Sequence, residues 1–539
     1  MKKLYYNGDI ITMEGENDYV EAILTSDKII EKAGSLQEII SYSNKRNYNY
    51  KKIDLNGKTM LPSFIDAHSH ISMVAQTSWM ADLKECKNFS EILKVMNKYK
   101  KSNNFSKNDL IVGFGYDHNF LEENEHPKKD LLNKISINNP VFIIHTSVHM
   151  AVANDKGLKW AGIDEDTPDS QGGKIGRIKE SREPNGYLEE DPFMKIRPKI
   201  FQNPKFDQFN LAKKAQDIYL KNGITTVQDG LSSESEIKLF KKLAKNNQLK
   251  VDIVSYPDIT SDLETIKSEN KNCFNKYFNN FKIGGYKMIL DGSPQGKSAW
   301  LTEPYQGEED YRGYSWYSDQ EVQDFIKKAF SDNQQLLTHC NGDAAADQLL
   351  RNYKKIKDDY PVNKKLRPVM IHSQLVRNDQ LDEMSKLAMI PSMFVDHTYY
   401  WGDVHLKNFG DKRARRIDPA RSALDKKLKL TFHQDAPIVK SDMLHTIWSA
   451  VNRKTRSGKN LGPEEQISVY EALKAVTINA AYQYFEEKNK GSIKEGKVAD
   501  LVIISENPMK VRKEKIKDIK VLETIKNGKS IYKMENGGE

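Results

Sequence analysis

Short apolar runs separated by polar stretches with helical spacing dominate the middle of the chain. The runs lie at residues 60–67, 224–229, 251–256, 285–290, 335–339, 368–372, 389–395 and 429–433. Each is bounded by turn residues or by polar residues that start a new element. Unbroken apolar runs of this length suit strands buried on both faces, as in parallel sheets. Helix-patterned stretches, such as 320–331 and 344–357, lie between most of them. Eight strands alternating with helices predict an α/β fold, a (β/α)8 TIM-like barrel.

The two ends of the chain follow a different pattern. Residues 4–6, 10–13 and 19–24 are apolar or β-prone, and Asn7-Gly8 and Glu14-Gly15 mark turns. The other end carries GSIKEGKVADLVIIS and VLETIKNGKSIY, with another Asn-Gly turn. Neither end has enough strands to bury a core by itself. A small β-sandwich domain built from both ends is therefore expected, with residues 1–58 and 489–539 contributing its two parts. Residues 59–488 would form the barrel. Within them, about 75–215 break the alternation and are expected to be a large insertion after the first barrel strand. That stretch holds strand-like LIVGFGYD (110–117) and PVFIIHT (140–146), then the Gly/Pro-rich segment 168–190.

Composition changes this picture little. A chain of 539 residues exceeds one ordinary domain. The net charge of +8 comes from 83 basic and 75 acidic residues, interleaved as on a solvated surface, with no nucleic-acid motif. The mean hydropathy of −0.69 reflects abundant Lys and Asn. Cys86, Cys273 and Cys340 form no CxxC and suit reduced thiols in the cytoplasm. The N-terminus has no apolar core of a signal peptide, and no run reaches the length of a membrane span. The expected partner is a small-molecule substrate, without nucleic acid or membrane; a homo-oligomer is compatible with this reading.

The candidate chemistry gathers at the ends of the apolar runs. His68 and His70 close LPSFIDAHSH, and in an extended segment residues i and i+2 share a side. His339 ends QLLTH, His372 ends PVMIH, Asp435 follows the last run in LTFHQDAPI, and Lys287 lies inside GGYKMILDG. Singly, each suits a satisfied core histidine, a capping aspartate or a snorkelling lysine. Together they occupy the places where a barrel keeps its active site, and imidazole is a good ligand for zinc-like ions.

At these residues the sequence resembles the amidohydrolase superfamily and, within it, the YtcJ-like group (amidohydrolase family 3). The resemblance includes KMILDGSPQGKSAWLTEPY, HCNGDAA, IHSQLV and GSIKEGKVADLVI. Two motifs depart from the group's usual form: HQDAP stands for GSDAP and HCNGD for HAIGD, which places His433 and Cys340 beside expected ligands. The resemblance implies metal ligands His68 and His70 on strand one, a carboxylated Lys287 on strand four, His339 on five, His372 on six and Asp435 on eight. These would hold one or two divalent ions, zinc foremost.

It further implies hydrolysis of a C–N bond in a small molecule: a non-peptide amide, N-substituted formamide or cyclic amide. Metal-bound hydroxide would attack, with Asp435 as the catalytic general base and then acid. Two other readings stay open: a metal-dependent esterase or phosphotriesterase, and a non-catalytic regulatory protein on this scaffold. Candidate substrate contacts are Asp117 and His149 in the insertion and Trp300 and Trp401 near strand ends, with Tyr116, His118, Tyr305 and Tyr399 as neighbours.

Overall fold

Parallel strands form where the apolar runs lie. The computed structural model describes residues 1–169, 173–201, 203, 205–360 and 366–535. The chain divides into two units, Met1–Ser72 with Lys213–Glu539, and Met73–Ala212.

In the larger unit one parallel sheet orders Phe64–Ile65, Ile224–Ser232, Asp252–Pro257 and Phe281–Ile283. A second orders Gly285–Ile289, Gln335–Cys340, Val369–His372, Ile390–Met393 and Thr431–Phe432. Phe281–Ile283 is absent from the eight apolar runs, because FKI is short and polar at its centre. Gly284 separates it from Gly285–Ile289, and a parallel bridge from Asp258 to Lys287 spans the two sheets. A Cβ at Gly285 would sit 2.1 Å from the carbonyl oxygen of Gln335, so only glycine lets these backbones approach so closely. At the far ends of the two sheets, Asp435 N donates to His68 O at 3.3 Å and His70 N to Ala436 O at 2.9 Å.

Helices alternate with these strands. Glu234–Lys245 and Asp319–Ser331 each start in a capping box, from Ser233 with Glu236 and from Ser318 with Glu321. Among the described residues, no helix is long and apolar enough to cross a membrane.

The run at 60–67 serves two sheets. Thr59–Pro62 pairs antiparallel with Leu501–Ile504 and parallel with Lys2–Ile11, and only Phe64–Ile65 joins the parallel set. Every residue from 59 to 68 is buried, so apolar pattern alone gives no sign of the change of partner. Strands from both ends thus share one eight-stranded sheet over a core that includes Ile10, Ile23, Met60, Leu501 and Ile525. Asn7-Gly8 is not a turn. The strand runs through it from Lys2 to Ile11, and the register with Tyr19–Ser26 shifts between Tyr6 and Ile10. Asn7 has φ 59°, and a Cβ on Gly8 would lie 2.3 Å from Lys58 O. The pair forms a bulge that lets one long strand serve two partners on the same edge, Tyr50–Asp54 before it and Thr59–Pro62 after it.

A buried charge network links this sheet to the parallel strands. Asp252 accepts from Lys490 Nζ at 2.5 Å and Lys526 Nζ at 2.7 Å, and Lys526 also reaches Asp500 at 3.1 Å. Glu486 pairs with Lys490 at 2.8 Å and with Lys282.

The smaller unit carries a six-stranded mixed sheet in the order Gly173–Arg177, Pro184–Glu190, Met150–Ala153, Val141–His145, Ile111–Tyr116, Ala81–Asp82. The Gly/Pro-rich segment 168–190 supplies the hairpin at one edge; its residues 170–172 lie outside the described residues.

Candidate active site

His68 and His70 leave Phe64–Ile65 in a segment held by the end of the neighbouring strand. Ser69 Oγ donates to Gln228 O, and Ser72 donates through both N and Oγ to Asp229 Oδ1, at 3.1 and 2.6 Å. Gln228 Oε1 lies 2.5 Å from His68 Nδ1, while Gln228 Nε2 is spent on Ala67 O and Tyr484 Oη. An amide oxygen can only accept, so Nδ1 carries the proton and Nε2 keeps its lone pair, the tautomer a metal ligand needs.

That lone pair faces the rest of the cluster. Asp435 Oδ1 lies 3.4 Å from His68 Nε2 and 3.3 Å from His70 Nε2, and Lys287 Nζ is 3.3 Å from His68 Nε2. Bonds of about 2.0–2.1 Å to one tetrahedral zinc ion would put ligand atoms roughly 3.3–3.4 Å apart. His68, His70 and Asp435 are therefore spaced as a set that could hold one ion. The strand alternation that turns Lys287 toward His68 turns Tyr286 toward the helices, where its hydroxyl donates to Asp332 at 2.7 Å.

His339 and His372 stand on adjacent strands with ring centroids 4.5 Å apart, and the His372 ring lies 5.9 Å from that of His68. His372 Nδ1 is 3.3 Å from His433 Nε2, and His433 Nδ1 is 2.9 Å from Ser392 Oγ. His339 Nδ1 is 3.3 Å from Asp291 Oδ1 without forming a hydrogen bond. Asp291 itself accepts from the backbone N–H groups of Trp300, Asn341 and Gly342.

Backbone strain gathers here as well. His372, Ser373 and Asp435 take φ of 70°, 49° and 53°, unusual for residues with a Cβ and common at functional positions.

Burial sets the protonation states. It lowers His68 and His372 well below the usual imidazole range and His433 to about 3, and it pulls Lys287 down to about 7. Burial alone would raise Asp435, but the hydrogen bond from His70 and the charges of His68, His70 and His433 hold its carboxyl well below the usual range. The cluster thus offers imidazoles kept neutral by burial at His68, His372 and His433, a carboxylate and an easily neutralised amine. The Cys340 thiol, buried beside it, is pushed well up and is inert.

Six expected ligands therefore converge. Gln228 and Asp291 were not anticipated, although each ends an apolar run, in TTVQDG and KMILDG. Trp401 is buried edge-on against Phe394 and His397, and Trp300 is half-buried beside Asp291. Asp117 and His149 belong to the smaller unit. His149 Nδ1 meets Glu190 at 2.9 Å, and Asp117 sits among histidines described below.

The amidohydrolase family model matches residues 51–532. The chain is 26% identical to putative amidohydrolase YtcJ of Bacillus subtilis (strain 168), covering 99% of both sequences. It is 24% identical to the N-substituted formamide deformylase of Arthrobacter pascens, covering 97% of this chain and 96% of that one. Among solved structures, an uncharacterized metal-dependent hydrolase from Pyrococcus horikoshii matches 95% of this chain and 99% of its own, at a TM-score of 0.77 and 23% identity. That likeness shows a shared TIM-barrel-like α/β fold. Matched by the family model over most of its length, the chain belongs to the amidohydrolase family and, within it, to the YtcJ-like group, amidohydrolase family 3.

Proposed function

We propose that the protein is a metal-dependent hydrolase that cleaves a C–N bond of a small molecule: a non-peptide amide, an N-substituted formamide or a cyclic amide. The observation that carries this reading is the spacing of His68, His70 and Asp435 around one point, with Lys287 beside it. The donor set suits a cation: His339 Nδ1 is buried without a hydrogen-bond partner, and burial keeps His68 and His372 neutral. The similarity to a formamide deformylase favours the C–N bond.

The frame proposed for it is a (β/α)8 barrel in which Phe281–Ile283 and Gly285–Ile289, separated only by Gly284, count as one interrupted strand, closed by the His68–Asp435 and His70–Ala436 backbone bonds. Residues 73–212 are its insertion, and the terminal sheet folds into a small sandwich. The three free, buried cysteines suit the cytoplasm.

A divalent ion, zinc first among candidates, would bring the pKa of water to roughly 7 and polarise the substrate carbonyl. His68, His70 and Asp435 would hold it, and His339 and His372 a second. Asp435 accepts the proton of the attacking water and delivers it to the leaving nitrogen. Lys287, whose amine burial leaves easily neutralised, would add to CO₂ with loss of one proton, and the resulting anionic carbamate would offer oxygen ligands to a metal. Trp300 and Trp401, near the strand ends of the larger unit, are the proposed substrate contacts.

Chelator-stripped protein is expected to lose turnover on a panel of N-formyl and N-acyl compounds, and zinc, manganese or iron should restore it. Bicarbonate should speed that recovery in the parent and leave Lys287→Ala unaffected. Protein that takes up no stoichiometric metal and cleaves none of the panel would overturn the proposal.

A further inference from the structure

The smaller unit contains a second group of histidines that the proposed reaction does not use. Ile111–Tyr116 and Val141–His145 are parallel neighbours, with Tyr116 paired to His145. Between Phe114 and Tyr116 the register shifts at Gly115, whose φ is 97°. A Cβ there would meet the Lys84 side chain at 2.5 Å. This bulge sets the direction in which Asp117 and His118 leave the strand end, toward His145 at the end of the next strand.

The approach is close. His118 Nδ1 is 3.4 Å from His145 Nε2, His145 Nε2 is 3.4 Å from Asp117 Oδ1, and His118 Nδ1 is 3.8 Å from Asp117 Oδ1. The two 3.4 Å spacings match the edge of roughly 3.3–3.4 Å expected for ligand atoms around a tetrahedral zinc ion. The longer third edge leaves one side open. Two imidazole nitrogens facing each other at 3.4 Å form a poor hydrogen bond, whereas a shared cation uses both lone pairs.

The surroundings orient each ligand. His145 and Asp117 are buried, and His118 is about three-quarters buried. His145 Nδ1 is 2.8 Å from Ser147 Oγ and 3.1 Å from Ser147 N. Ser147 N donates to Nδ1, which makes Nε2 the protonated nitrogen of the neutral ring; cation binding would shift that proton to Nδ1, where Ser147 Oγ can accept it. Asp117 Oδ1 accepts from Asn119 N and Asn119 Nδ2, which fixes the carboxylate. His126 stacks on His118 with ring centroids 3.9 Å apart and anchors its own Nδ1 on Tyr116 Oη at 3.0 Å. Imidazoles crowded beside a fixed carboxylate are the donor set of a borderline divalent metal.

We propose that Asp117, His118 and His145 bind one first-row divalent cation of the zinc type, additional to any ion held by the larger unit. Two imidazoles and one carboxylate leave a fourth position for water or for an oxygen or nitrogen of a ligand. This gives Asp117 a role other than the substrate contact expected from sequence.

Elemental analysis of tag-free, full-length protein equilibrated with zinc and then gel-filtered tests the proposal. A His68→Ala/His70→Ala variant, weakened in the larger unit, is expected to keep at least one zinc per chain. Adding Asp117→Asn or His145→Gln should remove one equivalent, with unchanged circular dichroism. In the parent background, the partly exposed His118→Gln should also lower zinc content by one equivalent, which serves as the check should a double variant fail to fold. Folded Asp117→Asn and His118→Gln proteins that match the parent's zinc content would overturn the site and leave Asp117 and His145 as an ordinary hydrogen-bonded pair. Because the larger unit's ligands are varied separately, that failure is distinguishable from failure of the proposed hydrolase site.

Discussion

Asp435→Asn is expected to abolish turnover while leaving the fold and the melting temperature close to the parent's. The carboxyl is held well below the usual range, and it sits 3.3–3.4 Å from the two imidazole nitrogens of His68 and His70. Asparagine keeps the shape and one ligand oxygen but cannot accept the proton of the attacking water. General acid–base help is typically worth about 10²–10⁴-fold, and weaker metal binding adds to the loss. His433→Gln is the control for proximity. His433 touches His372 and Ser392, so it orients a ligand, and losses of roughly 10–100-fold are typical for such partners. Steady-state kinetics on any substrate found by screening separate the two. Near-parental activity in Asp435→Asn together with an inactive His433→Gln would transfer the proton-handling role to His433.

The largest effect on stability is expected from Asp252→Ala. Its carboxylate joins Lys490 and Lys526, both buried, and so ties the last part of the chain to the Asp252–Pro257 strand. Removing one partner of a buried ion pair costs about 3–5 kcal/mol, because the remaining charge stays buried without compensation. Here two ammonium groups lose that partner, although Glu486 and Asp500 still face them. Burial alone would raise the Asp252 carboxyl, but Lys490 and Lys526 outweigh it and hold it below the usual carboxylate range. A carboxyl with a lowered folded pKa stabilises above its unfolded pKa, and the gain disappears as pH falls through the folded value. The gap in melting temperature between parent and variant should therefore be wide at pH 7 and narrow in acid below about pH 4. A variant that melts with the parent at pH 7 would show the network to be without net effect.

The strand runs and the chemistry at their ends were legible where burial is uniform. Runs such as those at 335–339 and 368–372 lie between two neighbours and must be apolar on both faces. The alternation in GGYKMIL also sufficed to direct Lys287 and Tyr286 to opposite sides. Phe281–Ile283 escaped notice because its central Lys282 is buried through its pairing with Glu486, a partner more than two hundred residues away. Asn7-Gly8 misled because the same pair that closes a hairpin can form a bulge, and only the partners of Lys2–Ile11 decide between the two. Gln228 and Asp291 end apolar runs, but that place alone gave no sign of their partners. Their importance lies in which atoms they meet, His68 Nδ1 for one and the backbone N–H groups of Trp300, Asn341 and Gly342 for the other.

The pairing of Thr59–Pro62 with Leu501–Ile504 bears on how the protein emerges from the ribosome. At about 5–20 residues per second, the roughly 440 residues between these strands take some 20–90 s to synthesise. Throughout that time Thr59–Pro62 can dock on Lys2–Ile11 but presents its other edge unpaired. An open apolar edge is a template for strands of neighbouring nascent chains. Polysomes, where many copies wait at the same stage, are therefore where the protein is most exposed to aggregation. Slowing initiation, which spaces the copies along the message, is expected to raise soluble yield more than slowing elongation, which prolongs the wait.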